Sequence, residues 1–249
     1  MDDFLVFSET LEEHLDHLST LFDRLEQFGL SINPKKCKLG QASVKFLGHI
    51  VSTEGIFPLK DKVATLTRLP KPTTFTELRR FLGSLNYYRT FLPKLAEVVA
   101  PLTDLLKGPG QKKKSSAIPW GADQEEAYEH AIELLASSSL LSYEDPQRPL
   151  VLSTDASVTH VGAVLEQHLD GADEEGLRPL CFFSKALPAS AKVRSAFHRE
   201  LTALYFALRY FRHRLVGREL IVRTDHQVLV NAVQNDQGQH SPREESMIQ

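Results

Sequence analysis

Along the chain, the spacing of hydrophobic and polar positions changes several times, and each change predicts an element. Leu11, Leu15, Leu18, Leu21, Leu25 and Phe28 recur at three and four residues, which predicts a helix with one apolar face. Thr10 and Glu13 predict a capping box at its start, and Gly29 can take the positive φ of a helix end. Over 37–58 the period shortens. Residues 37–39 and 44–51 read as short strands interrupted by Gly40, Gly48 and Gly55. The helical period returns over 60–107 as three helices near 61–69, 75–90 and 93–107, with Pro70 and Pro72 between the first two. Phe75, Leu78, Leu82, Leu85 and Tyr88 form the stripe of the second, which leaves Arg79, Arg80 and Arg89 on other faces. Residues 107–116 contain Gly, Pro, Ser and a lysine run without an apolar anchor and read as a linker. A further helix runs to about 137, with Asp123 and Glu126 as its capping box, and turns Ala127, Ile132, Leu134 and Leu135 toward a core.

The last third mixes periods of two and of three to four. Strands are predicted at 150–154, 161–167 and 177–184, then a helix at 195–215, a strand at 220–224 and a helix from 226 to 233. Leu201, Leu204, Leu208, Phe211 and Leu215 are the stripe of the long helix, and Glu200 stands one step before it. Ala203 and Ala207 lie beneath Glu200 on its own face, small enough to let the helix approach the sheet and bring Glu200 to Asp155. Asp155 closes the first of these strands and Asp225 the last. Three carboxylates on a strand end, a helix and a strand end suit divalent-metal phosphodiester chemistry. Hard oxygen ligands share Mg²⁺ between themselves and substrate phosphates.

Composition narrows the setting. At 249 residues, 42% hydrophobic and 24% charged, the chain has the make-up of an ordinary globular protein with room for one large or two small cores. No apolar run approaches the ~20 residues of a membrane span. The acidic N-terminus is unlike a signal peptide, and a cytoplasmic or nuclear setting is expected. Cys37 and Cys181 lack metal-ligand spacing and read as thiols in a reducing compartment. The net charge of −3 argues against a nucleic-acid partner, but its distribution reverses the argument. Residues 1–30 carry eight acids and one base, 60–114 twelve bases and four acids, 120–180 thirteen acids and two bases, and 181–223 nine bases and two acids. Such blocks can place a basic track beside acidic metal sites, because steering depends on the local field.

Three blocks together resemble the ribonuclease H domain of gypsy-type LTR retrotransposon pol polyproteins. They are Thr-Asp-Ala-Ser followed by Gly-Ala-Val-Leu-x-Gln over 154–167, Phe-x-Arg-Glu-Leu-x-Ala-Leu over 197–204, and Val-Arg-Thr-Asp-His over 222–226. Earlier segments resemble the reverse transcriptase of the same family. Met1-Asp2-Asp3 followed by Phe-Leu-Val-Phe is similar to the second half of the Tyr-x-Asp-Asp hairpin, and Phe46-Leu47-Gly48-His49 to the hairpin that holds the primer end. The helices of 60–107 are similar to the thumb, which lies along the minor groove of primer–template.

The resemblance implies an α/β (α+β) chain. Residues 1–58 would be the C-terminal part of a palm, 59–107 a helical thumb, 108–145 a linker and tether helix, 146–235 a mixed-sheet ribonuclease H-like domain, and 236–249 a polar tail. It implies two-metal chemistry with Mg²⁺, or Mn²⁺ as a substitute, held by Asp155, Glu200 and Asp225 in the nuclease and by Asp2, beside Asp3, in the polymerase. Phe46, Leu47, Gly48, Arg79, Arg80 and Arg89 would meet an RNA·DNA hybrid or primer–template duplex, with other pol segments as further partners. No small-molecule cofactor is expected. The family's fourth acid sits in a Gly-x-x-Asn-x-x-Ala-Asp block that does not occur here. The chain thus reads as a pol segment cut at both ends, its polymerase activity lost and its nuclease weak. Three readings stay open: a feeble nuclease, a non-catalytic nucleic-acid-binding remnant, and a decayed reading frame.

Overall fold

The Thr10 cap opens the first helix of the computed structural model, which describes residues 3–107, 117–168, 176–227, 229 and 230. The chain divides into two units, between Thr53 and Glu54. In the first unit, α1 (Leu11–Gln27) starts where Thr10 Oγ1 accepts the Glu13 N–H. Glu13 does reach back, but to the Glu9 N–H rather than to the cap residue itself. Of the predicted apolar face only Leu25 is buried, while Leu11, Leu15 and Phe28 are 75, 59 and 74% exposed. The strand expected at 37–39 is absent. Asn33 and Pro34 start a 3₁₀ turn over Pro34–Lys36 instead, and no strand pairs with the residues that follow. Strands β1 (Ser43–Phe46) and β2 (His49–Ser52) pair antiparallel with Phe46 opposite His49. Leu47 and Gly48 make the two-residue turn with φ of 44° and 75°, the hand that follows strand twist. Glycine takes such a φ freely, and leucine does so at a cost of about 1–2 kcal/mol.

The second unit begins with β3 (Gly55–Pro58), whose Ile56 exchanges two backbone hydrogen bonds with Leu141. Gly55 has φ 139° and lies against the Leu141 carbonyl, where no Cβ would fit. Helices α2 (Lys60–Thr67) and α3 (Phe75–Tyr87) follow. A capping box absent from the sequence reading starts α3: Thr74 Oγ1 accepts the Glu77 N–H, and Glu77 accepts the N–H groups of Thr73 and Thr74. The helix expected over 93–107 is divided into α4 (Leu95–Val98) and α5 (Ala100–Leu105). Pro101 is the reason, since it has no N–H with which to continue the α4 ladder. Helix α6 (Ala122–Ala136) begins before the expected box. Asp123 already lies in its first turn, and the Gly121 N–H is bound by Gln124 Oε1. These helices close on one core, with Leu78, Leu85, Leu92, Leu102, Ala131 and Leu135 at 0–1% exposure.

The ribonuclease H-like part is a mixed sheet of β4 (Leu150–Ala156), β5 (His160–His168), β6 (Leu177–Ala186) and β7 (Leu220–Arg223) in the order β6-β5-β4-β7. Strand β4 is antiparallel to β5 and parallel to β7. Between β6 and β7 come the short α7 (Ala189–Lys192) and the long α8 (Ala196–Leu215), capped by Ser195 Oγ. Helix α8 buries Leu201, Ala203, Leu204, Ala207 and Phe211 against Leu150, Leu152, Val161, Ala163, Leu165 and Phe183. Phe182 points the other way, into the helical core, so the sheet has helices on both faces. One bulge interrupts it: Leu165 faces Cys181 but Glu166 faces Pro179, so Leu180 is the extra residue. Gln167, part of the motif quoted above, is fully buried and structural. Its Oε1 accepts the Asp145 N–H, and its Nε2 donates to the carbonyls of Asp145 and Arg148. Arg218 donates to the same two carbonyls and to Glu144, fixing the turn that launches β4. Among the described residues β7 is an edge strand, with Ile221 and Val222 exposed. No helix of the described residues is long and apolar enough to cross a membrane.

Candidate carboxylate site

Glu200 reaches the sheet as its neighbours predict. Ala203 and Ala207, 1 and 0% exposed, let α8 lie close to β4 and β5. The Glu200 carboxyl is buried, takes a hydrogen bond from the Ala156 backbone, and leaves Oε2 with no hydrogen-bond partner. Burial, then the charge of Asp225, then that of Asp155 push its pKa up to about 7. Asp225 stands two residues beyond the end of β7 and is exposed.

Asp155 departs from expectation. Strand β4 does not end on it but runs one residue further, so strand alternation fixes its direction. Asp155 lies directly across from Gly162 on β5, and Gly162 from Ser184 on β6. Residues so opposed share a face. Ser184 belongs to the face opposite α8: its Oγ accepts the Ala96 N–H and its carbonyl accepts from Arg89 Nη2. Asp155 follows it there and meets Lys94, whose Nζ donates to Oδ2 at 2.6 Å. The hydrogen bond and charge of Asp155 raise the Lys94 pKa, so the ammonium stays protonated. Both side chains are more than half exposed, and pairs of this kind contribute about 0–1 kcal/mol. Glu200 therefore feels both aspartates, yet among the described residues no group of three Asp, Glu, His or Cys side chains is close enough to hold a metal ion. The donor chemistry does suit a divalent cation, because Glu200 keeps a buried, unsatisfied oxygen in a field of two further acids.

The other predicted residues are spread more widely. Asp2 lies outside the described residues, and Asp3 is exposed in the extended segment before α1. Phe46, Leu47 and Gly48 form the tip of the β1–β2 hairpin, with Leu47 half-exposed. Arg79 and Arg80 are exposed on α3, away from its buried stripe. Arg89 is half-buried and makes contacts within the fold. Its guanidinium bonds the Ser184 carbonyl and lies 5.5 Å from the Tyr210 ring centre. Lys94 was missed. Its contact lies 61 residues away in sequence, and no local period signals it.

Two family models match the chain. Reverse transcriptase (RNA-dependent DNA polymerase) covers residues 1–51, and an RNase H-like domain found in reverse transcriptase covers 120–222. The retrovirus-related Pol polyprotein from transposon 297 of Drosophila melanogaster is 35% identical over 229 residues, or 92% of this chain and 20% of that protein. The transposon Tf2-3 polyprotein of Schizosaccharomyces pombe is 32% identical over 238 residues, or 95% of this chain and 17% of that protein. This chain thus spans about a fifth of the length of these relatives. In fold it is similar to the foamy viral protease-reverse transcriptase, solved with double-stranded DNA (TM-score 0.76, 20% identity, 97% of this chain and 49% of that one). The same enzyme solved with an RNA/DNA hybrid gives a TM-score of 0.75 at 21% identity, over 97% of this chain and 32% of that one. The chain thus carries a match to a reverse transcriptase model and a match to an RNase H-like domain model, and along nearly all of its length it is similar to retrotransposon pol polyproteins.

Proposed function

We propose that this segment cleaves the RNA strand of RNA·DNA hybrids, weakly, within a pol polyprotein of the gypsy type. Asp155, Glu200 and Asp225 would hold the divalent metal, Mg²⁺ or Mn²⁺ in its place. Metal bound there would supply the charge that activates water and stabilises the leaving oxygen. The observation that carries this reading is Glu200, a buried carboxyl with an unsatisfied oxygen, brought by α8 to the ends of β4 and β7. Its pKa of about 7 means that ligation requires loss of a proton near neutrality, so cleavage should rise with pH through that range. Arg79 and Arg80 on α3 offer phosphate contacts to a duplex, in keeping with the duplexes bound by the foamy viral enzyme. RNA-directed DNA synthesis is proposed for the whole polyprotein, with Asp2 and Asp3 as this segment's contribution.

Cleavage of an end-labelled hybrid by the wild-type chain and by Asp155→Asn and Glu200→Gln variants tests the proposal. Weak cleavage that rises from pH 6 to 8 and disappears in both variants is expected. Equal cleavage in all three proteins would refute it. A second reading, duplex binding without cleavage, draws on the commitment of Asp155 to Lys94 on the face opposite α8. It requires hybrid binding that survives Asp155→Asn and no cleavage by any form.

A further inference from the structure

The segment between α3 and α5 is anchored firmly on either side of Lys94. Leu92 and Leu95 are 0 and 6% exposed, Arg89 holds the Ser184 carbonyl, and the Ala96 N–H holds the Ser184 hydroxyl. Lys94 itself, as the residue preceding α4, adopts φ 51° and ψ 21°, a left-handed conformation that L-residues other than glycine, asparagine and aspartate seldom take. Such a conformation persists where the surroundings over-determine it, and it is a reason to ask what the side chain does. From this fixed backbone the Lys94 stem passes over Gly162, where a Cβ would already lie 3.7 Å from Cγ, and the ammonium ends on Asp155. Ser184, Gly162 and Asp155 form one transverse row, so the contacts that seat the segment also aim its lysine. The backbone is pinned while the side chain is 59% exposed, and a rotation of that side chain alone would free Asp155.

We infer that Lys94 is a built-in competitor for the metal ligand Asp155, an internal cation that occupies the carboxylate and must be swung aside when a divalent ion binds. The inference rests on the metal-binding reading of Asp155 and Glu200 given above. The ammonium on Oδ2 already offsets much of the Asp155 charge that would attract a divalent ion, and as a like charge it repels the ion's approach. Lys94 thereby sets how much metal the site demands. It also accounts for a carboxylate set whose members sense one another without being drawn together.

The test is direct metal binding, independent of cleavage. Binding of Mn²⁺ to the full chain is followed by the electron paramagnetic resonance of the free ion, at low salt and about pH 8, where Glu200 is ionised. The proteins are wild type, Lys94→Met and Lys94→Gln, each also in an Asp155→Asn background, with thermal unfolding as a check on the fold. Both Lys94 variants should bind Mn²⁺ roughly three- to tenfold more tightly than wild type, the range expected from losing an exposed ion pair and a like charge. In the Asp155→Asn background that gain should vanish. Unchanged or weaker binding in folded Lys94 variants would overturn the inference while leaving the metal site standing. A gain that persists without Asp155 would also overturn it, as a general charge effect. Failure of every protein to bind Mn²⁺ would remove the metal-binding reading and this inference with it.

Discussion

Helices α1 and α8 carry the same kind of apolar stripe, with leucine and phenylalanine at three and four, but they end differently. Helix α8 buries eight residues, five of them apolar side chains packed on the sheet, whereas α1 buries Leu25 alone. Periodicity therefore specifies that a helix forms and which face is apolar. Burial requires a complementary surface, which β4, β5 and β6 give to α8 and which the described residues do not give to α1. The first kind of information is local. The second depends on what the rest of the chain brings close.

The largest expected effect breaks this pair apart. Phe211→Ala in α8 empties a fully buried position and should lower unfolding stability by about 3–5 kcal/mol. Leu15→Ala in α1, 59% exposed, should change it by less than about 0.5 kcal/mol. Denaturant unfolding of the two variants checks this, and equal losses would show that the α1 stripe is covered in solution.

A smaller effect concerns the one acid on the buried side of α8. The Glu200 pKa is about 7 in the folded chain, against 4.5 for an ordinary glutamate. Between those values the folded state keeps a proton that the unfolded chain has lost, so stability falls as pH rises through the interval. Glu200→Gln should accordingly stabilise the protein by about 1–3 kcal/mol at pH 8 and by little at pH 5, with a chelator present. Thermal unfolding at the two pH values measures it, and a gain of equal size at both would refute the burial-and-repulsion account.

The smallest change in stability, about zero, is expected for Arg79→Ala/Arg80→Ala on the exposed face of α3. Binding to a labelled hybrid should nevertheless weaken, with the salt dependence of log K reduced by roughly two. Titrations at two salt concentrations decide whether an exposed helical face here is inert or a contact for phosphate.

The sequence made the ribonuclease H-like half legible because its signals are local and agree with one another. Strands bounded by turn residues, the α8 stripe and the two alanines beneath Glu200 all point to one arrangement, and the sheet follows it. The helical module was less legible, since Pro101 breaks the 93–107 helix inside an otherwise continuous period. At the site, Glu200 could be placed from its neighbours alone. Asp155 could not, because whether β4 stops at 154 or at 156 decides how it relates to the faces of the sheet, and strand ends are set by pairing rather than by composition. Arg89 and Lys94 were beyond reach for a similar reason. Their partners Ser184 and Asp155 lie 95 and 61 residues away.

The bulge at Leu180 works as a parity switch. Leu180 and Cys181 are both buried, and from Phe182 onward β6 alternates so that Phe182 and Ser184 serve the helical side and Phe183 the α8 side. Before the bulge stands Pro179, which has no N–H to give to the ladder and needs none where pairing is already irregular. A residue gained or lost between 177 and 180 can be absorbed there as a wider or vanished bulge. The same change between 182 and 185 would exchange inside for outside along the rest of the strand. It would send Ser184 away from Arg89 and Ala96 and release the segment that aims Lys94. Lineages of this sequence should therefore tolerate length changes at the entrance to β6 and refuse them three residues later.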